Sequence, residues 1–205
     1  MTNPVINDTA NPLVDDTAHW NYYTWPKVFN REDCLEICEY IDNNYLELES
    51  EIRVAAGPEG QPKKNVSSVK QIKYGQIRNL IYPIVHDAFH IAQTKFGYLT
   101  NGPHDAEMLN FNTYSSDNQD SYDWHFDASA NSQCDCKLTL LMNLSTEVYK
   151  GGEFESYINE SERHDSFNIP GSCFMIKSHF NHRVLPVTEG TRKTLAMFIT
   201  GPRFR

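Results

Sequence analysis

Two residues in one short motif and a third far along the chain carry side chains that a mononuclear metal centre needs. The run Tyr122-Asp123-Trp124-His125-Phe126-Asp127 contains H-x-D in a stretch of strand composition. The alternation of a strand places His125 and Asp127 on one face and Trp124 and Phe126 on the other. An imidazole and a carboxylate so arranged are two of the three ligands of a facial triad, and His182, on a distant strand, is the candidate third. Such a triad leaves positions open on Fe(II), as binding of a bidentate cosubstrate and then O₂ requires. H-x-D alone also fits a polar surface strand; what raises it above that reading is its conjunction with His182 and, ten positions on, Arg192.

The stretch Asn181 to Thr200, NHRVLPVTEGTRKTLAMFIT, reads as a hairpin. Val184 to Val187 and Leu195 to Ile199 have strand composition, Pro186 suits an edge or bulge, and Gly190 marks the turn. With Thr188, Glu189 and Gly190 as a three-residue loop, Val187 opposes Thr191 and His182 opposes Ala196. That register puts His182, Arg192, Thr194, Ala196 and Phe198 on one face, with Leu195, Met197 and Ile199 on the other against a second layer such as helices. His182 and Arg192 then lie roughly 13 Å apart along the ladder, at about 3.3 Å per residue, so they hold two ends of a small ligand. His179 is the competing third ligand, with the wrong parity relative to Arg192.

Other clusters carry less. His86 and His90 stand at i, i+4, a spacing able to bind metal, yet no third ligand of matching type lies near them in sequence. Cys134 and Cys136 form C-x-C without a second pair, and Cys34 and Cys38 fall at helical spacing. Five cysteines, an odd number, do not suggest a disulfide framework. The net charge of −9 argues against broad nucleic-acid binding. Between Gln61 and Arg78, however, Lys63, Lys64, Lys70, Lys73 and Arg78 occur without an acid, as a solvated face or as a rim for an acidic partner. No apolar run approaches the ~20 residues of a membrane span, and the N-terminus lacks a signal-peptide pattern. A soluble, cytoplasmic protein without a membrane partner is expected.

The supporting elements follow from periodicity. Residues 1–18 form a polar arm, and the aromatic cluster Trp20, Tyr22, Tyr23, Trp25 and Phe29 suits an early strand or a clasp. Asn30 is a candidate N-cap with Asp33 at the third helical position, predicting a helix from Arg31 to about Leu48. Residues 50–68 read as a mobile loop. Ser68 to Phe96 has a helical pattern, broken before Pro83. From Glu107 the grammar is short strands: Glu107–Tyr114, Tyr122–Asp127, Lys137–Leu144, Glu153–Tyr157, Ser166–Ile169 and Cys173–Lys177, then the hairpin. The expected fold is mainly β with helices (α+β): an antiparallel sandwich or small barrel with helices on one sheet. Residues 105–202 would form the core and 1–104 the arm and supporting helices of the same structural domain.

WHFD at 124–127, GGEF at 151–154, the run IPGSCFMIKSHFNHRVLPVTEGTRKTLAMFITG from Ile169 and NFNTY at 110–114 resemble the Fe(II)/2-oxoglutarate-dependent dioxygenase superfamily, more closely its prolyl 4-hydroxylase-like branch, including PKHD-type hydroxylases. The similarity covers residues 109–201. It implies a double-stranded β-helix (jelly roll, cupin-like), iron on His125, Asp127 and His182, and Arg192 paired with the distal carboxylate of 2-oxoglutarate with help from Tyr114. The family pattern H-x-V-x-P-V matches His182, not His179. The segment between Tyr114 and His125 is longer than the family spacing, so Tyr122 is an alternative to Tyr114; Thr194 shares the face of Arg192 and is a further candidate for the distal carboxylate. The implied cofactors are Fe(II), 2-oxoglutarate and O₂, with ascorbate as a reductant. The implied acceptor is a prolyl residue in a peptide or protein. A free amino acid or other small molecule is the alternative acceptor, and a non-catalytic metal-binding β-helix the alternative class.

Overall fold

In the computed structural model, which describes residues 21–45, 64–127 and 134–203, strand β1 (Tyr22–Trp25) leads into helix α1 (Arg31–Asn44), and β2 (Lys64–Asn65) and β3 (Ser68–Lys73) lead into helix α2 (Tyr74–Thr94). The strands β4 (Met108–Ser115), β5 (Ser121–His125), β6 (Cys134–Asn143), β7 (Lys150–Gly151), β8 (Phe154–Tyr157), β9 (Ser161–Arg163), β10 (Cys173–Lys177), β11 (Asn181–Val184), β12 (Val187–Glu189) and β13 (Thr191–Pro202) follow. They pair antiparallel into a six-stranded sheet, β1-β10-β6-β13-β4-β3, a five-stranded sheet, β2-β5-β11-β8-β9, and the small pair β12-β7.

Alternation along the strands of the larger sheet explains the layering. Leu109 and Phe111 of β4, Leu138, Leu140 and Met142 of β6, and Leu195, Met197 and Ile199 of β13 join one core with Ile37 and Ile41 of α1 and Ile77, Ile81 and Val85 of α2. The expected helix-facing set on β13 is therefore borne out. The opposite parity turns Tyr114, Leu141, Phe174 and Ile176 toward Phe154 and Val184 of the smaller sheet. Each such buried side chain contributes ~1.5–3 kcal/mol of burial. Two antiparallel sheets face each other, with two helices on the outside of one: a double-stranded β-helix, mostly β, as expected.

Local chemistry starts the helices. Asn30 caps α1 by accepting from the backbone N–H groups of Glu32 and Asp33, while the Asp33 carboxylate accepts from the backbone N–H of Asn30 at 2.8 Å. The helix ends at Asn44, with Tyr45 extended, and residues 46–63, which include the end of the expected helix and most of the expected loop, lie outside the described residues. The polar arm does as well.

Four expectations are corrected. Ser68–Lys73 is a strand rather than the first turns of a helix, because β4 supplies a ladder from Ser68↔Thr113 to Lys73↔Met108. Helix α2 runs through Pro83 without a break; the lost backbone bond is offset by the buried flanking residues Ile81, Ile84 and Val85. Ser166–Ile169 is not a strand: a 3₁₀ turn over Asp165–Asn168 drives Phe167 between the sheets. The hairpin of His182 and Arg192 does not form. β11 pairs with β5 and β8 in the smaller sheet, β13 pairs with β4 and β6 in the larger, and β12 between them pairs with β7. His182 faces His125 and Ser156, whereas Ala196 faces Asn110 and Leu141. The switch occurs at Leu185-Pro186, where proline lacks the N–H to continue a ladder. Gly190 does take the left-handed conformation, φ +75.

Candidate active site

Strand pairing brings the two histidines together. His125 at the end of β5 is the direct partner of His182 on β11, and their rings meet edge to face with centroids 4.2 Å apart. Asp127 lies just beyond β5, its carboxylate 3.7 Å from His125 Nε2 and 3.3 Å from His182 Nε2. One ligand atom from each of the three falls within 4.8 Å of the others, so the trio is able to hold a metal ion.

The backbone sets the form of both rings. His125 Nδ1 is 2.7 Å from the Asp123 carbonyl oxygen and His182 Nδ1 is 3.0 Å from that of Phe180. A carbonyl only accepts, so each Nδ1 carries a proton; Nε2 is the nitrogen that faces the centre, able to donate to Asp127 when it too is protonated and to offer its lone pair to a metal when it is not. Burial pushes the Asp127 carboxyl up, but the hydrogen bond and charge of His182, the nearby His125 and a hydrogen bond from Thr139 together hold it below the usual carboxylate range. It is an ionised acceptor at neutral pH. Tyr122 stacks on His125, centroids 3.4 Å apart, and Phe154 lies against His182 at 5.4 Å.

Across the cavity stands Arg192 of β13, 1 % exposed and among the largest fully buried side chains. Its Nε and Nη2 have no hydrogen-bond partner among the described residues. The guanidinium carbon lies 5.5 Å from the Tyr114 ring and 5.4 Å from the Phe167 ring, contacts that partly offset its desolvation. Tyr114 is the cross-strand partner of Arg192 on β4, and Thr194 sits between Asn112 of β4 and Asn143 of β6. Burial drives the Tyr114 hydroxyl far up and that of Tyr122 up to about 12, so both stay protonated and can donate. Gly152 of the GGEF run makes room: a Cβ there would stand 2.9 Å from Arg192 Cδ, and its φ of +64 favours glycine. The cavity, about 120 Å³, is lined by His125, Asp127, His182, Tyr114, Tyr122, Arg192 and Thr194, with Asn110, Asn112, Leu141, Phe154, Val184, Ala196 and Phe198.

All six candidate site residues therefore meet in one cavity, His182 and Arg192 from opposite sheets rather than from one ladder. Tyr122 stands at the histidine end and Tyr114 at the arginine end. His179 is exposed, its ring packed against Phe180, and does not join the trio. His86 and His90 are exposed on α2 with no third ligand among the described residues. All five cysteines are free thiols. In the basic stretch, Lys70 pairs with Asp42 at 2.6 Å and Arg78 with Asp105 at 3.2 Å, so those two cations are already matched by acids. Sequence reasoning missed Thr139, Leu141 and Phe154. The i, i+2 parity of β6 would have found the first two, and GGEF contains the third.

Comparison with known proteins agrees with the fold. Residues 109–200 match the model of the 2OG-Fe(II) oxygenase superfamily. No curated protein sequence matches the chain. Among solved structures, a Pseudomonas putida prolyl-4-hydroxylase superposes with a TM-score of 0.63 at 14 % identity, covering 92 % of this chain and 96 % of the other. A Trichoplax adhaerens prolyl hydroxylase, solved with a peptide fragment of the hypoxia inducible factor oxygen degradation domain, gives 0.58 at 13 %, covering 88 % and 83 %. A viral collagen prolyl hydroxylase from Paramecium Bursaria Chlorella virus-1, as its 2OG complex, gives 0.56 at 15 %, covering 88 % and 96 %. At these identities the likeness is one of fold.

Proposed function

We propose that this chain, whose residues 109–200 match the 2OG-Fe(II) oxygenase superfamily, is an Fe(II)- and 2-oxoglutarate-dependent dioxygenase that hydroxylates an unactivated C–H bond, with a prolyl residue of a peptide or protein as acceptor. The observation that carries this reading is the buried Arg192, with Nε and Nη2 both lacking a hydrogen-bond partner among the described residues, facing the His125, Asp127 and His182 cluster across one cavity. A buried donor left unpaired costs ~1–3 kcal/mol, more when charged. A carboxylate at that end of a ligand removes the cost, and a guanidinium grips it through two parallel bonds.

The residues present fit the implied groups. Two imidazoles and one carboxylate are the donor set of an Fe(II) oxygenase centre with open positions. Bound iron and 2-oxoglutarate would supply the oxidising power that places one atom of O₂ on the acceptor carbon, with succinate and CO₂ as co-products. The protein does the rest. His125, Asp127 and His182 fix the metal; Arg192, with the protonated Tyr114 hydroxyl beside it and Thr194 on the same face, fixes the far carboxylate. Leu141, Phe154 and Val184 keep water from the reacting end. Among the described residues, every one that lines the cavity apart from Asp127, Arg192 and the two histidines is uncharged. A prolyl residue inside a chain suits such a lining, whereas a free amino acid would bring an ammonium and a carboxylate without counter-charges among the described residues. The fold shared with three prolyl hydroxylases points the same way.

The test is incubation with Fe(II), 2-oxoglutarate, ascorbate and O₂ while succinate is measured and proline-containing peptides and free amino acids are screened by mass for a gain of one oxygen atom. Succinate that requires both iron and 2-oxoglutarate, with oxygen gained by peptides, is expected. Oxygen gained by free amino acids alone would reject the prolyl acceptor, and metal binding without any succinate would reject the enzyme. Arg192→Ala should raise the 2-oxoglutarate KM by roughly 10-fold or more, the equivalent of one or two charge-assisted bonds, with kcat at saturation much less affected; an unchanged KM would remove Arg192 from the cosubstrate.

A further inference from the structure

The two histidines of the cluster are fixed by strand register, but Asp127 is not, since β5 ends at His125. What holds it comes from elsewhere in the fold. The backbone N–H of Asp127 donates to the carbonyl oxygen of Ser178 at 2.9 Å. Its Oδ2 accepts from Thr139 Oγ1 at 2.8 Å, and Thr139 Oγ1 lies 3.2 Å from Ser178 Oγ, which in turn lies 3.0 Å from Cys136 Sγ. Thr139 and Ser178 are both fully buried, and Ser178 is tied to β6 by its own N–H to the Lys137 carbonyl oxygen at 3.1 Å. The direction of the chain follows from chemistry. An ionised carboxylate only accepts, so the single hydroxyl proton of Thr139 is committed to Asp127. Thr139 then offers only lone pairs to Ser178, so the Ser178 hydroxyl is the donor in that contact, leaving Ser178 Oγ to accept from the Cys136 thiol, whose other polar neighbour is the Leu138 carbonyl oxygen at 3.7 Å.

We propose that Thr139, oriented by Ser178, is the positioning residue of the metal centre: together the two form a bracket from the larger sheet that holds the backbone and the carboxylate of Asp127 in place against the histidine pair of the smaller sheet. The inference rests on the assignment of His125, Asp127 and His182 as metal ligands. Without the bracket Asp127 sits at a strand end with a free χ1, and a carboxylate that samples several rotamers binds a cation less tightly. Outer partners of metal ligands typically carry 10–100-fold in metal affinity.

The experiment is calorimetric titration of the metal-free full chain with Mn(II), a redox-inert probe for the Fe(II) site, without any turnover assay. Thr139→Val keeps the shape and loses the hydroxyl, and is expected to weaken the Mn(II) Kd by about 10-fold or more, whereas Thr139→Ser restores the donor and should stay within about threefold of wild type. Equal affinity of wild type and Thr139→Val would overturn the proposal, as would a Thr139→Ser variant as weak as Thr139→Val. If Thr139→Val does not fold, Ser178→Ala is read instead: weakened Mn(II) binding supports the bracket and wild-type affinity overturns it. A His182→Ala variant that binds Mn(II) as wild type does would instead overturn the ligand assignment itself, so the two failures are distinguishable.

Discussion

Each histidine of the centre has one ring nitrogen given to a main-chain carbonyl and the other to the cavity, so what distinguishes His182 from its neighbour His179 is position and not chemistry. His182→Ala should abolish iron-dependent turnover and His179→Ala should largely retain it, both measured as succinate formed; the opposite pattern would exchange their roles. A third histidine behaves differently again. His164 is buried between the sheets, its Nε2 2.7 Å from Ser156 Oγ and its ring against Tyr22 and Phe174. Burial lowers its pKa to about 4 from 6.5. The unfolded chain therefore binds the proton first as pH falls, so this group's stabilising contribution is complete above about pH 6.5 and is lost between there and about pH 4. The loss is on the order of 3 kcal/mol at 1.36 kcal/mol per unit, less whatever the Glu162 carboxylate, 4.0 Å from Nδ1, returns to the charged form. Urea midpoints for wild type and His164→Phe across that range should diverge in slope; parallel curves would show that His164 titrates normally.

At the scale of elements, the short pair β12-β7 matters more than its length suggests. It lies between the strand of His182 and the strand of Arg192, and it puts the GGEF turn against the arginine. The Gly152 N–H donates to the Pro186 carbonyl oxygen at 3.0 Å, and a Cβ at Gly152 would meet both Arg192 Cδ and Val187 Cγ2 at 2.9 Å. Gly152→Ala is expected to destabilise the fold by ~1–2 kcal/mol through its left-handed backbone and also to raise the 2-oxoglutarate KM several-fold by displacing Arg192. A stability loss with unchanged KM would separate the turn from the site. The alternation of β13 was legible in sequence, and so were the capping box of α1 and Gly190 as a left-handed turn. Ser68–Lys73 was not, because its mixed polar and apolar pattern fits a helix start as well as an edge strand, and only β4 beside it decides.

Across the whole molecule the two sheets divide the work: the larger one buries its outer face on the helices and offers Arg192, Tyr114, Thr194 and Thr139 inward, while the smaller one offers His125 and His182. Leu140 is fully buried in the core shared by sheet and helices. Leu140→Ala should cost ~2–5 kcal/mol, and, if 1–202 is one structural domain as we propose, far-ultraviolet and tryptophan signals should still report a single transition at a lower midpoint; two separate transitions would divide the chain. Among the described residues no helix is long and apolar enough to cross a membrane. By itself the sequence singled out the side chains that meet in the cavity, because H-x-D, H-x-V-x-P-V and the following arginine are local patterns of residue type and parity. It also determined a β-rich fold with helices on one face, since periodicity is a local property. Only the tertiary structure decided that His182 and Arg192 meet across two sheets instead of along one hairpin, and that Thr139 and Ser178 hold Asp127. Which strand pairs with which depends on long-range burial and on where a proline ends a ladder, and neither is written in the spacing of the residues that result.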